Sequence, residues 1–250
     1  MSLLTSLQEW LLQGRRSLGM LLIPPRCVCC ELIQNSPLNT GLCERCFELI
    51  LVNEACERCD FPLAAHPAGG GCRMRPTSVA AIRAPHLYGG PIAELIKAIK
   101  FDHRSDLATP LAQLLAKDLR ATDLALRSDC IIPVPLGRKR LRERGHNQAA
   151  LLARGLARAW GLPIHYTLQR RRETRSQSLL PQHERAHNLQ DAFETRSSLE
   201  GRSILLVDDV VTTGQTVAKA AEVLRADGAG PIHVVAAART LSPLPASLKC

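Results

Sequence analysis

The chain has 250 residues, of which 46% are hydrophobic, and its formal net charge at pH 7 is +9. This composition is sufficient for a buried core and excludes a chain that is disordered throughout. The positive charge favours anionic ligands such as pyrophosphate or nucleic acid. Aromatic residues make up only 3% of the chain, so few side chains are available to stack on nucleobases.

The sequence of the N-terminal region predicts neither a membrane span nor an export signal. Arg15 and Arg16 interrupt the first apolar run before any cleavage site made of small residues. No apolar stretch approaches the length needed to cross a bilayer, so we expect a cytoplasmic protein without integral membrane insertion. Leucines and Trp10 form a helical stripe within residues 3–22. This stripe predicts an amphipathic helix, over residues 1–25, that packs on the body or, alternatively, lies on a membrane surface.

Most of the cysteines lie between residues 27 and 72 and predict a metal-binding module over residues 26–76. Cys-x-x-Cys pairs in a cytoplasmic protein are typical of zinc sites rather than disulfides. Cys27 and Cys30 are followed, after twelve intervening residues, by Cys43 and Cys46. Four thiolates complete a tetrahedron and leave no open position, so the sequence predicts a structural Zn²⁺ site.

The same spacing then repeats with one ligand missing. The second set consists of Cys56, Cys59 and Cys72, and Arg75 stands where the next cysteine is due. His66 could complete a second zinc site, or the second metal could have been lost. Cys29 is a spare thiol that could enter either site. We call each Cys-x-x-Cys pair a knuckle. The first knuckle could also share a metal with the third, because a zinc site is decided by its number of ligands and not by their spacing in the sequence.

Residues 77–243 alternate between strand and helix patterns, which favours a parallel sheet with helices on both faces. Strands are predicted over residues 79–84, 131–135, 164–168, 204–207 and 232–239, and helices over residues 91–101, 106–120, 148–160 and 216–226. Lys97 and Lys100 share one face of the first predicted helix. For Lys97, a position on the solvated surface is a sufficient explanation and no functional role is needed. Residues 169–190 form a long loop rich in arginine and glutamine, and such loops often serve as lids.

Residues 204–216 predict a site for a phosphorylated sugar. Four apolar residues indicate a strand buried on both faces, and Asp208 and Asp209 stand at its carboxyl end. A loop containing Gly214 then opens a helix whose free N–H groups favour a phosphate, and the threonine hydroxyls can donate to it. The two carboxylates can accept hydrogen bonds from vicinal hydroxyls or help to hold Mg²⁺. Ligands of open α/β sheets bind at this edge.

This stretch resembles, along its full length, the motif with which type I phosphoribosyltransferases bind phosphoribosyl pyrophosphate (PRPP). The resemblance implies a type I phosphoribosyltransferase-like domain in which Asp208 and Asp209 hold the ribose hydroxyls and are the catalytic residues. Mg²⁺ is implied together with PRPP. The PRPP-binding residues implied are Asp208, Asp209, Val210, Thr212, Thr213, Gly214, Gln215 and Thr216.

Two further segments are expected to complete this site. The basic stretch after residue 135 is the predicted pyrophosphate loop, with Pro135, Leu136, Arg138, Arg144, Asn147 and Gln148 as its candidates. Type I phosphoribosyltransferases cover the site with a mobile loop, and residues 170–186 occupy the corresponding place. The candidates in this flexible loop are Arg172, Thr174, Gln177, Arg185 and Asn188.

Taken together, the motifs are similar to those of the ComF family (competence protein F, GntX-like) over residues 27–240. The motifs are the cysteine-rich region, Lys100-Phe101, Pro133-Val134-Pro135 with residues 144–148, Thr174-x2-Gln177, Arg185, Asn188, Phe193 and the PRPP motif. The resemblance implies a double zinc ribbon before the phosphoribosyltransferase-like domain. It also implies a role in natural transformation or DNA uptake, with cytoplasmic single-stranded DNA and competence or helicase proteins as partners. Arg75 stands at the position where the family usually has an eighth cysteine.

Two functional hypotheses follow. In the first, the protein handles single-stranded DNA and carries a domain competent to bind PRPP. In the alternative, it is an active Mg²⁺-dependent phosphoribosyltransferase that transfers phosphoribosyl from PRPP to a base or an amine. The arginine clusters suit pyrophosphate as well as DNA, so the sequence leaves turnover open.

Overall fold

The computed structural model describes residues 25–33, 40–57, 60–63, 76–171, 192–196 and 198–240. The helix predicted for the N-terminal region lies outside these ranges. So do three of the candidate ligands and the residue that interrupts their pattern, namely Cys59, His66, Cys72 and Arg75. The flexible-loop candidates Arg172, Thr174, Gln177, Arg185 and Asn188 also lie outside the described residues.

Strands and helices alternate along most of the described chain. The strands are β1 (Ala81–Arg83), β2 (His86–Leu87), β3 (Cys130–Pro133), β4 (Leu168–Arg170), β5 (Phe193–Thr195), β6 (Ile204–Val211) and β7 (Ile232–Arg239). The helices are α1 (Glu44–Glu48), α2 (Gly90–Phe101), α3 (Ala108–Ala116), α4 (Leu119–Leu126), α5 (Arg138–Arg144), α6 (Gln148–Trp160) and α7 (Gln215–Ala226). A short 3₁₀ turn, Ser105–Leu107, precedes α3.

The central sheet confirms the predicted parallel architecture. Its strand order is β1-β7-β6-β3, and β2 pairs with β7 further along the same edge. Every pair in this sheet is parallel. The strands therefore all present their carboxyl ends at one edge, where ligands of such sheets bind.

The strand β6 is apolar throughout its first half because both of its faces are buried. Ile204 and Leu206 belong to a core cluster covered by α7, which contributes Val217, Ala220, Ala221 and Leu224. Leu205 and Val207 belong to a second cluster built with α2, α3, α4 and α6. Helices thus cover both faces, as the sequence predicts.

Three predicted elements differ from the structure. The helix predicted over residues 106–120 is divided, because Asp118 caps a new helix, α4, by accepting a hydrogen bond from the Ala121 N–H at 2.8 Å. The strand predicted over residues 164–168 is wrong: only Ile164 bridges to Ile131, and the chain then leaves the sheet. Leu168 instead begins β4, which pairs antiparallel with β5 outside the parallel sheet. The strand β6 continues to Val211, so both acids lie within it and not after it.

The first and third cysteine knuckles have the same backbone geometry. In the first, the Cys27 N–H donates to the Leu32 carbonyl at 2.8 Å, and the Glu31 N–H donates to the Cys27 carbonyl at 2.9 Å. Residues 56–61 repeat both bonds, at 2.9 and 2.8 Å. Glu31 and Asp60, at the same place in each turn, both have positive φ angles, of 61° and 56°. Among the described residues, the turn that begins each unit of the sequence repeat is therefore also repeated in the backbone.

A buried ion network joins the third knuckle to the sheet. Arg83 of β1 contacts Asp60 at 3.1 Å and Asp118 at 2.6 Å. Asp60 is fully buried and also accepts a hydrogen bond from the Ala84 N–H. Burial raises the pKa of Asp60 to about 6, against the opposing effects of this hydrogen bond and of Arg83. The amide of Asn53 donates to the Asp60 and Ala84 carbonyls, which ties the same segment to the sheet edge.

Candidate functional site

A polar cleft opens at the carboxyl ends of β3 and β6. Its cavity volume is about 170 Å³. Pro133 and Val207 are paired across the two strands, and the Val134 N–H donates to the Val207 carbonyl at 2.8 Å. The side chains that line it are Lys100, Val134, Pro135, Leu136, Arg140, Arg144, Asn147, Gln148, Ala149, Arg170, Asp208, Asp209, Val210 and Thr216. Elements from α2 to α7 therefore converge on one site.

The adjacent carboxylates are held by the backbone of β6. An oxygen of Asp208 accepts from the Asp209 N–H at 2.8 Å, and an oxygen of Asp209 accepts from the Val210 N–H at 2.7 Å. The second oxygen of Asp209 lies 2.7 Å from the ammonium of Lys100. Burial and the neighbouring charge of Asp209 raise the pKa of Asp208 to about 8. A bound cation would reverse this effect, so the pair suits Mg²⁺ as well as ribose hydroxyls.

The loop after β6 forms the N-terminus of α7. Gly214 has a φ of +79°, a left-handed conformation that other residues rarely adopt, and it caps the helix. The hydroxyl oxygen of Thr213 accepts from the Gln215 N–H at 3.4 Å. Thr216 lines the cleft, whereas the side chains of Thr212, Thr213 and Gln215 are exposed next to it. A twelve-residue helix with its N-terminus at this edge favours an anion.

The predicted pyrophosphate loop contains a short helix, α5, that buries none of its residues. Arg144 lines the cleft and stacks on Phe101, with its guanidinium carbon 4.9 Å from the ring centroid. Burial lowers the pKa of Arg144, an effect that the charge of Asp209 opposes. Arg140, one helical turn earlier, also lines the cleft. Arg138 is exposed and is not among the lining residues, although the sequence makes it a candidate.

Hydrogen bonds hold the start of α6 against the neighbouring segments. The Asn147 amide donates to the Val134 carbonyl at 3.0 Å, and its oxygen accepts from the Ala149 N–H at 3.1 Å. The ring nitrogen Nε2 of His146 donates to the Ile99 carbonyl at 2.7 Å. Gln148 is only 3% exposed, and within the described structure its Nε2 has no hydrogen-bond partner. Because Gln148 lines the cleft, this amide can donate to a ligand oxygen.

Three cations of the cleft are absent from the site predicted by the sequence: Lys100, Arg140 and Arg170. The sequence places Lys100 on one helical face with Lys97, but Lys97 pairs with Glu94 at an exposed position. Arg170 lies at the end of β4, opposite Phe193 of β5, and its guanidinium is 5.5 Å from that ring. The described ends of the predicted flexible loop therefore meet beside the cleft. Four cations and two carboxylates surround the cavity, which suits an anionic ligand carrying vicinal hydroxyls.

Four cysteines form a candidate metal centre. The sulfur atoms of Cys27, Cys30, Cys43 and Cys46 all lie within 4.8 Å of one another. Burial raises the pKa of Cys27, but backbone N–H groups, that of Cys43 first, outweigh this effect and lower it to about 6. The pKa of Cys27 therefore lies near neutral pH, whereas burial raises the pKa of Cys46, whose ionisation a bound cation would favour. Four sulfur ligands fit tetrahedral Zn²⁺, whose bonds to sulfur are about 2.3 Å long.

This cluster bears on the pairings that the sequence leaves open. Among the described residues, the first knuckle lies against the second, which favours their pairing over that of the first with the third. Cys29 is not a member of the group. Of the candidate ligands of the second site, Cys56 alone lies among the described residues, so that site remains a prediction.

The module packs directly on the α/β body. Cys27, Leu42 and Cys46 belong to the same core cluster as α2 and α3. A Cβ atom at Gly41 would lie 2.3 Å from a methyl group of Leu107, so the approach requires glycine. None of the described helices is long and apolar enough to cross a membrane.

A parallel sheet that carries paired acids on its central strand, then a glycine-containing loop and a helix, defines a phosphoribosyltransferase-type domain. The sequence profile of the phosphoribosyl transferase domain family matches residues 146–249. The chain belongs to the ComF family. It is 35% identical over 233 residues to the DNA utilization protein YhgH of Salmonella typhimurium, covering 89% of this chain and 100% of that protein.

The chain is also similar to two other proteins. The chain is 32% identical over 223 residues to competence protein F of Haemophilus influenzae, covering 86% of this chain and 96% of that protein. Among solved structures, it is similar to a purine phosphoribosyltransferase from Pyrococcus horikoshii at 17% identity and a TM-score of 0.34. That similarity covers 52% of this chain and 71% of the other.

Proposed function

We propose that this protein acts in DNA utilization or competence and that its cleft binds PRPP with Mg²⁺, while single-stranded DNA binds on the adjoining basic surface. The names of the relatives support the role in DNA use. The observation that carries the proposal is the arrangement at the end of β6. There, Asp208 and Asp209 stand among four cations at the carboxyl edge of a parallel sheet.

Each part of the cleft suits one part of PRPP. The carboxylates of Asp208 and Asp209 would accept hydrogen bonds from the two ribose hydroxyls. The loop at residues 212–216 would hold the 5-phosphate at the N-terminus of α7. Arg140 and Arg144 would contact the pyrophosphate. When bound, Mg²⁺ would neutralise part of the pyrophosphate charge, and the two aspartates are the residues that would hold it.

The surface beside the cleft supports binding of a polyanion. The helix α5 is rich in arginine and lysine and presents Arg138, Lys139, Arg140 and Arg142 as exposed side chains. A helix that buries no residue contributes little to the core, so its cationic character is better explained by a ligand than by the fold. Neutralising the phosphates of a nucleic acid releases counterions and gives salt-dependent affinity.

The test is single-stranded DNA binding, measured by fluorescence anisotropy over a salt series with and without PRPP and Mg²⁺. We expect log K to fall linearly with log salt concentration, with a slope of about −0.7 for each phosphate neutralised. We also expect PRPP to change the DNA affinity, because the two sites share Arg140. No DNA binding at low salt would overturn the DNA part of the proposal, and calorimetric titration with PRPP and Mg²⁺ tests the other part separately.

An active phosphoribosyltransferase is the second candidate function. It is favoured by Gln148, a buried residue of the cleft whose amide nitrogen has no hydrogen-bond partner in the described structure and could donate to a substrate. In this reaction the bond from C1 to pyrophosphate breaks, an acceptor nitrogen bonds to C1, and the acceptor loses a proton. Cationic groups would stabilise the departing pyrophosphate. Release of pyrophosphate from PRPP that depends on an added base or amine tests this function.

A further inference from the structure

The last residue of α2 is an exposed phenylalanine beside the cleft. Phe101 is 63% exposed, whereas Phe61 and Phe193 are 3% and 5% exposed. A phenylalanine normally stabilises the fold by removing its ring from water, and at this position most of the ring remains in water. The core therefore gives no sufficient reason for an aromatic residue here.

The neighbours of Phe101 connect it to the cleft. The preceding residue, Lys100, lines the cleft and pairs with Asp209. The guanidinium of Arg144 lies 4.9 Å from the Phe101 ring centroid, and Arg144 is itself a cleft residue. An aromatic ring and a guanidinium plane are the two kinds of surface on which proteins stack nucleobases.

We propose that Phe101, together with Arg144, is a stacking platform for a nucleobase whose phosphates lie toward the cationic cleft. The proposal rests on the proposed function and makes it more specific. It assigns a position to the nucleobase, the part of the ligand that projects out of the anion site. The base can belong to single-stranded DNA or to a free nucleotide, and the ring recognises the same chemistry in both. Stacking of this kind tolerates any base, because every base has a π-face.

The test separates stacking from phosphate binding. Wild type and Phe101→Leu are titrated, by anisotropy, with an oligo(dT) of about 12 nucleotides and with an abasic oligonucleotide of equal length, and by calorimetry with dTMP. We expect Phe101→Leu to lose affinity for oligo(dT) by roughly five- to a hundredfold, the range found when a stacking aromatic is removed. Its affinity for the abasic strand should stay unchanged, and Phe101→Trp should retain the wild-type affinity for both.

Tyr166 provides the matched control. It is 54% exposed, and its hydroxyl oxygen accepts from Arg154 at 3.3 Å, but Arg154 does not line the cleft, whereas Arg144 beside Phe101 does. Tyr166→Leu therefore removes an exposed aromatic ring next to an arginine without touching the proposed platform. It should leave oligo(dT) binding unchanged. Equal losses in Tyr166→Leu and Phe101→Leu would overturn the proposal.

Other results also decide the question. Equal losses on oligo(dT) and on the abasic strand would overturn the proposal, because Phe101 would then act only by holding Arg144. Unchanged affinity for both strands and for dTMP would overturn it while leaving DNA binding by the wild type, and so the proposed function, intact. Failure of the wild type itself to bind oligo(dT), the abasic strand or dTMP would overturn the stacking proposal together with the DNA part of the proposed function. A loss confined to dTMP would support the platform and identify a free nucleotide as the source of the base.

Discussion

The ammonium of Lys100 and the carboxylate of Asp209 lie 2.7 Å apart, joining the end of α2 to the central strand β6. Both side chains are 17% exposed, so water screens the pair only in part. Lys100 also lowers the pKa of Asp208, against the larger effects of burial and of Asp209. One lysine thus pairs with Asp209 and also favours the ionised form of Asp208.

We expect Lys100→Met to weaken binding of PRPP with Mg²⁺ by about ten- to a hundredfold, since hydrogen bonds to charged groups contribute about 1.5–3 kcal/mol. Calorimetric titration measures the change. Lys97→Met is the control, because Lys97 lies one turn earlier on the same helix and pairs with Glu94 at an exposed position. An equal loss in both variants would show that overall charge, and not the contact with Asp209, determines the affinity.

Binding of PRPP with Mg²⁺ should release protons near neutral pH. The pKa of Asp208 is raised to about 8, so the ligand-free carboxyl is largely protonated below that pH. Hydroxyl or cation binding favours the carboxylate and expels the proton. Calorimetry in two buffers with different ionisation enthalpies measures the number released, and Asp208→Asn should reduce it. An unchanged proton release in that variant would contradict the assignment to Asp208.

The same pKa gives a sign for the stability of the ligand-free protein. An aspartate whose pKa is higher in the folded state than in the unfolded state makes the folded state bind more protons. Its stabilising effect is therefore present at low pH and is lost as the pH rises from about 4 to about 8. Urea unfolding of wild type and Asp208→Asn across this range should show a smaller pH dependence in the variant. A variant as pH-dependent as the wild type would place the effect elsewhere.

Removing one thiolate of the cysteine cluster should release a metal ion and destabilise the body of the protein. Cys27→Ser is expected to lower the zinc content by one ion per chain, because Cys27 is one of four convergent ligands. Cys27 also packs in the core cluster with α2 and α3, so the melting temperature should fall. Cys29→Ser is the matched control and should keep its metal. Zinc content that is equal in both variants, measured by elemental analysis, would assign the metal to other ligands.

Breaking the buried network at Arg83 should cost far more stability than breaking an exposed pair. In Arg83→Met the fully buried Asp60 and its neighbour Asp118 lose their main cation, and such a loss costs about 3–5 kcal/mol. The exposed pair of Arg127 and Asp123, 3.0 Å apart, supplies the comparison. Arg127→Met should cost less than about 1 kcal/mol. Similar midpoints of urea unfolding for the two variants would contradict the role of the network.

The sequence predicts well those features that depend on neighbouring residues. The helix Gln148–Trp160 has the predicted bounds, because its apolar spacing, the Asn147 cap and Gly161 all act locally. The loop and helix after β6 follow from Gly214 for the same reason. Four cysteines with fixed spacing likewise predict a cluster, since both knuckles are short local turns.

Contacts between distant segments are harder to predict. Nothing local in the sequence states that Lys100 meets Asp209, because the fold alone brings α2 beside β6. The sequence predicts a loop at residues 138–144 and so gives no reason to place Arg140 in the site. Once residues 138–144 are helical, Arg140 and Arg144 are one turn apart and share a face toward the cleft. The chain after Ile164 leaves the sheet to form a separate antiparallel pair, and its apolar composition gives no sign of this.

The position of β7 between β1 and β6 also determines when the central sheet can form during synthesis. Ala81 of β1 pairs with His233 of β7, so among the described strands β1 has no partner until residues 232–239 have left the ribosome. Pairing across such a long stretch of chain is slow and leaves apolar strands exposed in the meantime. A chain that stops before residue 232 would leave β1 apart from β6, and we expect such a fragment to aggregate or to be degraded.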